Sequence, residues 1–156
     1  MLLDDLKKNI DVLPVDEATI LRDLYIEHFV DTNNEGFINK INKRILFSDG
    51  YCYTGYLWDY IMKRQRITLQ TLINVLINKE TVLVLWDIHS CERIFIEDYW
   101  KFGKDSIIRI ETKYLIEGLN YFPEDIYIFD SDFLWTYIIT HEDDGKRKIC
   151  YKINLE

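Results

Sequence analysis

The chain has little of what breaks or tethers a fold. It holds two prolines and six glycines in 156 residues, which excludes collagen-like repeats and Pro/Gly-rich linkers. Its cysteines, Cys52, Cys91 and Cys150, are odd in number, widely spaced and without a C-x-x-C pair; that pattern argues against a disulfide framework and for a reducing compartment. The densest apolar run, Val82–Trp86, has the length of a buried strand and is too short to cross a bilayer. Met1-Leu-Leu-Asp-Asp-Leu-Lys7 carries acids where a secretory leader needs bases. The expectation is a cytoplasmic protein without a membrane anchor. Neither a Walker sequence nor a Rossmann glycine fingerprint is present.

The most pointed absence is one of charge sign. From Tyr114 through Gly145 there is no Lys or Arg, while Glu117, Glu124, Asp125, Asp130, Asp132, Glu142, Asp143 and Asp144 all fall there. The whole chain carries a formal charge of −8. Such a field repels phosphate backbones and attracts cationic partners, so direct nucleic-acid binding through this half is disfavoured. Lys63-Arg-Gln-Arg66, the one compact basic cluster, reads as the closing turn of a helix.

What is present is core-forming material: 48% apolar and 29% charged residues fit one domain, spanning 1–156. The first half, about 1–78, reads as mostly helical. A helix follows Pro14, with Ile20, Leu21, Leu24, His28 and Phe29 on its apolar face. A second uses Phe37, Ile38, Ile41 and Ile45, and Ser48-Asp-Gly50 ends it. Leu57–Arg64 favours a further helical stretch, and Thr68 an N-cap before Leu69, Leu72, Ile73, Leu76 and Ile77. From residue 79 the pattern turns to strands: Thr81–Ile88, a hairpin return at Arg93–Glu97, Ile126–Asp130, Trp135–Glu142 and Arg147–Asn154. Ile107–Ile110 is open between strand and helix start; Glu111–Leu119 reads as helix. Asp143-Asp-Gly-Lys146 supplies hairpin-turn chemistry, and the lysines of the last strand suit a sheet edge. The fold class is therefore α+β: a helical N-terminal half on a mainly antiparallel C-terminal sheet of about five strands.

Three chemistries compete. A small hydrolase or metal-dependent enzyme could be built on Asp87, His89 and His141. A metal centre needs three or four convergent ligands, and His141 and Glu142 face opposite sides of a regular strand, so both ligate only across a bulge. Cys91 beside Glu92 and near His89 is poorly set for a thiolate. His28 suits a core edge. No catalytic residue, metal site or cofactor is assigned. The third chemistry is a contact surface: aromatic anchors ringed by carboxylates, with Asp130, Asp132, Glu142, Asp143 and Asp144 for steering and Trp135 as anchor or core.

Phe133-Leu-Trp-Thr-Tyr-Ile-Ile-Thr-His-Glu142, preceded by Asp125-Ile-Tyr-Ile-Phe-Asp130, resembles the closing strands of a family of small bacterial proteins classed as a domain of unknown function. The resemblance covers roughly the last 35 residues, and it implies a fold framework but carries across no catalytic assignment. In composition the chain is similar to bacterial toxin-immunity proteins. The expected function is a non-enzymatic binding protein presenting an acidic, aromatic surface to a basic protein partner, such as a toxin nuclease; the alternatives are the small hydrolase or metal-dependent enzyme above and a housekeeping protein whose acidic face is only solvated.

Overall fold

The computed structural model describes residues 3–47, 50–88 and 105–155. Its centre is a seven-stranded sheet in the order β1-β6-β5-β7-β8-β9-β4, with every pairing antiparallel. The strands are β1 (Ile10–Val12), β4 (Gln65–Ile67), β5 (Thr81–Trp86), β6 (Ile108–Glu111), β7 (Ile126–Phe129), β8 (Trp135–Asp143) and β9 (Lys148–Asn154). A separate two-stranded ribbon joins β2 (Ile45–Phe47) to β3 (Gly50–Cys52).

Both sheet faces are covered, because alternate residues of the central strands are apolar on both sides. On one face Leu83, Leu85, Tyr127, Phe129 and Ile138 meet α2 (Val15–Phe29), α3 (Glu35–Phe37) and the loop through Tyr53, Leu57 and Trp58. On the other, Val84, Trp86, Ile128, Tyr137 and Ile139 meet α1 (Leu3–Lys8), α4 (Leu69–Leu76) and α5 (Thr112–Glu117). The α+β class holds. The division into a helical half and a five-stranded sheet does not, because β1 and β4 come from the first half and take the two sheet edges. Lys63-Arg-Gln-Arg66 accordingly closes no helix: Lys63 turns at φ 57°, and Arg66 lies in β4. β9 is an internal strand, and the polar edge is β4, with Gln65 and Arg66 exposed.

Three other local expectations changed. The second helix shrinks to α3 and a π-helical turn at Ile38–Asn42, after which Ile45 enters the ribbon. Leu57–Tyr60 is a 3-10 turn. In α2 the buried face is Ala18, Arg22, Tyr25 and Phe29, with Ile20 61% exposed. The helix is turned this way because Tyr25 hydrogen-bonds Thr136 Oγ1 at 2.8 Å and Arg22 Nη1 donates to the Trp86 carbonyl at 3.1 Å. Of the expected apolar stripe, Phe29 is in the core and Leu21 and Leu24 pack against it, half-buried, while Ile20 and His28 are exposed. His28 is exposed, stacked on Phe133 at 4.8 Å, and its Nδ1 donates to the Leu24 carbonyl. Ile107–Ile110 resolves as strand from Ile108, and Thr68 caps α4 by accepting from Thr71 N at 3.1 Å.

Arg22 is buried, and its Nε and Nη2 have no hydrogen-bond partner. A buried guanidinium so placed adds little to stability. Arg22→Met should therefore change the unfolding free energy by less than about 1 kcal/mol, or raise it. Urea denaturation checks this; a loss several times larger would show that the guanidinium is needed.

Candidate functional site

Two acids sit at neighbouring strand ends. Asp87 follows the last residue of β5 and Asp125 precedes the first of β7, one step beyond the Trp86↔Ile126 pair. Both are 1% exposed. A buried carboxylate must be fully hydrogen-bonded, and the donors here come from one loop and the two strands beside it. Asp87 accepts from Tyr53 OH at 2.6 Å, Leu57 N at 3.0 Å and Tyr127 OH at 2.7 Å. The Tyr127 oxygen in turn accepts from Trp58 N at 3.0 Å. Asp125 accepts from Trp58 Nε1 at 2.9 Å, from His141 N at 3.0 Å and from His141 Nδ1 at 3.0 and 3.1 Å. The two carboxyl groups together pin the aromatic loop Tyr53–Trp58 onto the sheet end.

His141 reaches Asp125 because the β8–β9 register shifts between Ile139 and Asp143. Such a bulge re-aims the side chains that follow it. The His141 side chain keeps 33% of its surface exposed. Tyr56 lies against its ring at 4.8 Å, and Trp58 at 6.0 Å. Arg64 closes the far side of the cluster: its guanidinium lies over Tyr151 at 4.5 Å and Trp58 at 5.9 Å and donates to the Trp58 carbonyl.

Electrostatics separate the two acids. Burial pushes the Asp87 carboxyl up to about 7; hydrogen bonds from Tyr53, Leu57 and Tyr127 oppose the rise, and the Asp125 charge adds to it. For His141, burial alone lowers the pKa, but the hydrogen bond and charge of Asp125, then the charges of Glu142 and Glu124, more than offset it, and the net shift is upward. Burial also raises the Tyr53 and Tyr127 phenols, with the Asp87 charge next in weight.

The contact residues expected from sequence divide into two groups. Asp130 and Asp132 sit in the β7–β8 turn, where they accept from Ser131 N and Leu134 N. Glu142, Asp143 and Asp144 lie at the other end of β8, about 25 Å away at the rise of an antiparallel strand. Asp143 accepts from Gly145 N, and Asp144 from Lys146 N and Arg147 N, so both build the turn. Asp144 also pairs with Arg66 at 2.7 Å. Trp135 is 4% exposed in the second core, with Lys79 Nζ 4.0 Å above its ring. Of anchor or core, it is core.

Of the proposed enzyme set, Asp87 is sealed beneath Tyr53 and Tyr127, His141 is held by Asp125, and His89 lies outside the described residues. Cys91 and the Arg93–Glu97 return lie outside them too. Among the described residues no three His, Cys, Asp or Glu side chains are grouped to hold a metal ion. Cys52 and Cys150 are free and buried, and burial raises the Cys150 thiol to about 11, away from nucleophilic use. No helix among the described residues is long and apolar enough to cross a membrane.

Asp125, Tyr56 and Trp58 were not legible as site residues. The available signals were an acid immediately before a β-branched strand and an aromatic loop rich in hydrogen-bond donors. No family model, curated protein or solved structure matches the chain.

Proposed function

We propose that the chain is a non-enzymatic, cytoplasmic binding protein that docks a basic protein partner, in the manner of an immunity protein occupying a toxin's cationic substrate site. The supporting observation is the pairing of carboxylates left by the fold. Glu117, Glu124, Asp130, Asp132, Glu142 and Asp143 enter no ion pair among the described residues, and Glu124 and Glu142 both face the charge of His141. Beside them stand the His141 and Tyr56 rings, 4.8 Å apart and tilted at 36°, at the end of the sheet. A Lys or Arg of the partner placed against Tyr56 and between Glu124 and Glu142 gains both charge complementarity and cation–π attraction to the phenol ring.

The contact surface is narrower than the sequence implied. Asp143 and Asp144 are tied into their turn, and Trp135 is internal. Glu124 and Glu142 are exposed, with side chains that hold no part of the backbone in place. They are the clean positions for charge reversal. A tagged pull-down at low salt should recover a basic protein with the wild-type chain and lose it with Glu124→Lys plus Glu142→Lys. Equal recovery by both chains would remove this surface from the contact.

A second reading, a small hydrolase, draws on one observation. Asp125 holds Nδ1 of His141 as a carboxylate orients a general base, which leaves Nε2 to act. Turnover of chromogenic ester or phosphodiester substrates, abolished by His141→Gln, would favour it over the binding reading.

A further inference from the structure

We propose that the cleft between β4, the start of α4 and the β8–β9 turn binds a small ligand bearing a phosphate monoester. Two adjoining hollows form it, of about 460 and 510 Å³. They share Thr68, Arg147 and Lys148, and Arg66 lines the first of them. The chain has 27 acids against 19 Lys and Arg. The cleft gathers three cations against a single acid, Asp144.

The pairing within the cleft sharpens the point. Asp144 is committed to Arg66 at 2.7 Å and to the amides of Lys146 and Arg147. Arg147 and Lys148 enter no ion pair among the described residues, although Glu142 and Asp143 are a few residues away and Asp143 lies opposite Lys148 in the strand register. These two cations, which share a neighbouring hollow with Glu142 and Asp143, line the cleft with Thr68 and Thr71, themselves hydrogen-bonded Oγ1 to Oγ1 at 2.8 Å. Thr68 Oγ1 donates to Thr71 Oγ1 and accepts from Thr71 N, which leaves the Thr71 hydroxyl and the Leu69 and Gln70 amides to donate to phosphate oxygens, and Arg147 supplies a fork matched to them. A dianion balances the two free cations. A polyanionic nucleic acid would meet the repulsion of the remaining acids. This proposal is independent of the basic-partner reading and uses none of its carboxylates.

The test is a titration of the isotope-labelled full chain with inorganic phosphate, and separately with glycerol phosphate, at constant ionic strength held by chloride. Saturable amide shifts confined to residues 68–71 and 147–148 are expected with both probes. Arg147→Gln, at an exposed position, should weaken binding at least about tenfold, and Lys40→Gln should leave it unchanged. Saturation with inorganic phosphate alone would limit the site to the free ion and overturn the ester proposal. Shifts that chloride reproduces, or binding untouched by Arg147→Gln in a chain with an unchanged amide spectrum, would overturn the site itself.

Discussion

Asp87→Ala is expected to lower the unfolding free energy by about 3–5 kcal/mol, while Asp87→Asn should nearly spare it and flatten its pH trend. The alanine removes the acceptor of three buried donors, Tyr53 OH, Tyr127 OH and Leu57 N, and leaves each without its partner. Asparagine is isosteric: its oxygen accepts from Tyr53 and Leu57, and its amide donates to the Tyr127 oxygen. The pH trend follows from the carboxyl standing at about 7 when folded against a model value of 3.8. A group whose folded pKa is raised contributes stability fully below its unfolded pKa, and that contribution is lost as pH rises through the folded value. Its full extent is on the order of 4 kcal/mol. His141, also raised, acts in the same direction near neutrality. Asp144, lowered chiefly by hydrogen bonds from the Arg147 and Lys146 amides, acts oppositely and only at acid pH. Urea denaturation between pH 5 and pH 8 should therefore show the wild type weakening towards pH 8. Asp87→Asn should show a shallower slope and the greater stability at pH 8. A wild-type chain equally stable at both ends would contradict the burial argument.

Asp125 carries the second large effect. Asp125→Ala withdraws the acceptor of Trp58 Nε1, His141 N and His141 Nδ1, and should cost about 2–4 kcal/mol. Asp125→Asn keeps an oxygen for the Trp58 indole and the His141 amide, and so should cost less. It removes the negative charge that favours protonated His141, so the imidazole should titrate at lower pH than in the wild type. An NMR titration of the His141 ring reads this directly. An unchanged titration in Asp125→Asn would mean that Asp125 positions the ring without tuning it.

Much of the sheet could be read from residue pattern, for a physical reason. Strands β5, β7 and β8 are β-branched and aromatic over continuous runs, and the Asp143–Lys146 turn announces its hairpin; Gly145 there takes φ 91°. The edges β1 and β4 could not be read, because three residues carry no periodicity and owe their conformation to the strands they pair with. The orientation of α2 was hidden by a different cause. Its apolar stripe and its buried face overlap only in part, at Leu21, Leu24 and Phe29, and only the partners Thr136 and Trp86, far along the chain, show why Tyr25 and Arg22 turn inward. The site was concealed by the bulge. Regular alternation separates His141 from Glu142 and says nothing of Asp125, whereas the register shift after Ile139 brings ring and carboxylate together. The acidic run itself was plain in the sequence. That Asp143 and Asp144 would be consumed by a turn, and Glu124 and Glu142 left outward, depended on backbone hydrogen bonds that no charge count contains.

In the function proposed, Glu124 and Glu142, beside His141 and Tyr56, select a basic partner by charge. The most direct test is the association rate of the captured partner with wild-type chain and with Glu124→Lys plus Glu142→Lys, measured across ionic strength. The expected result is a wild-type rate that falls steeply with salt, and a variant rate about tenfold or more lower at low salt and converging on the wild type at high salt. Rates equal for the two chains at every ionic strength would contradict it.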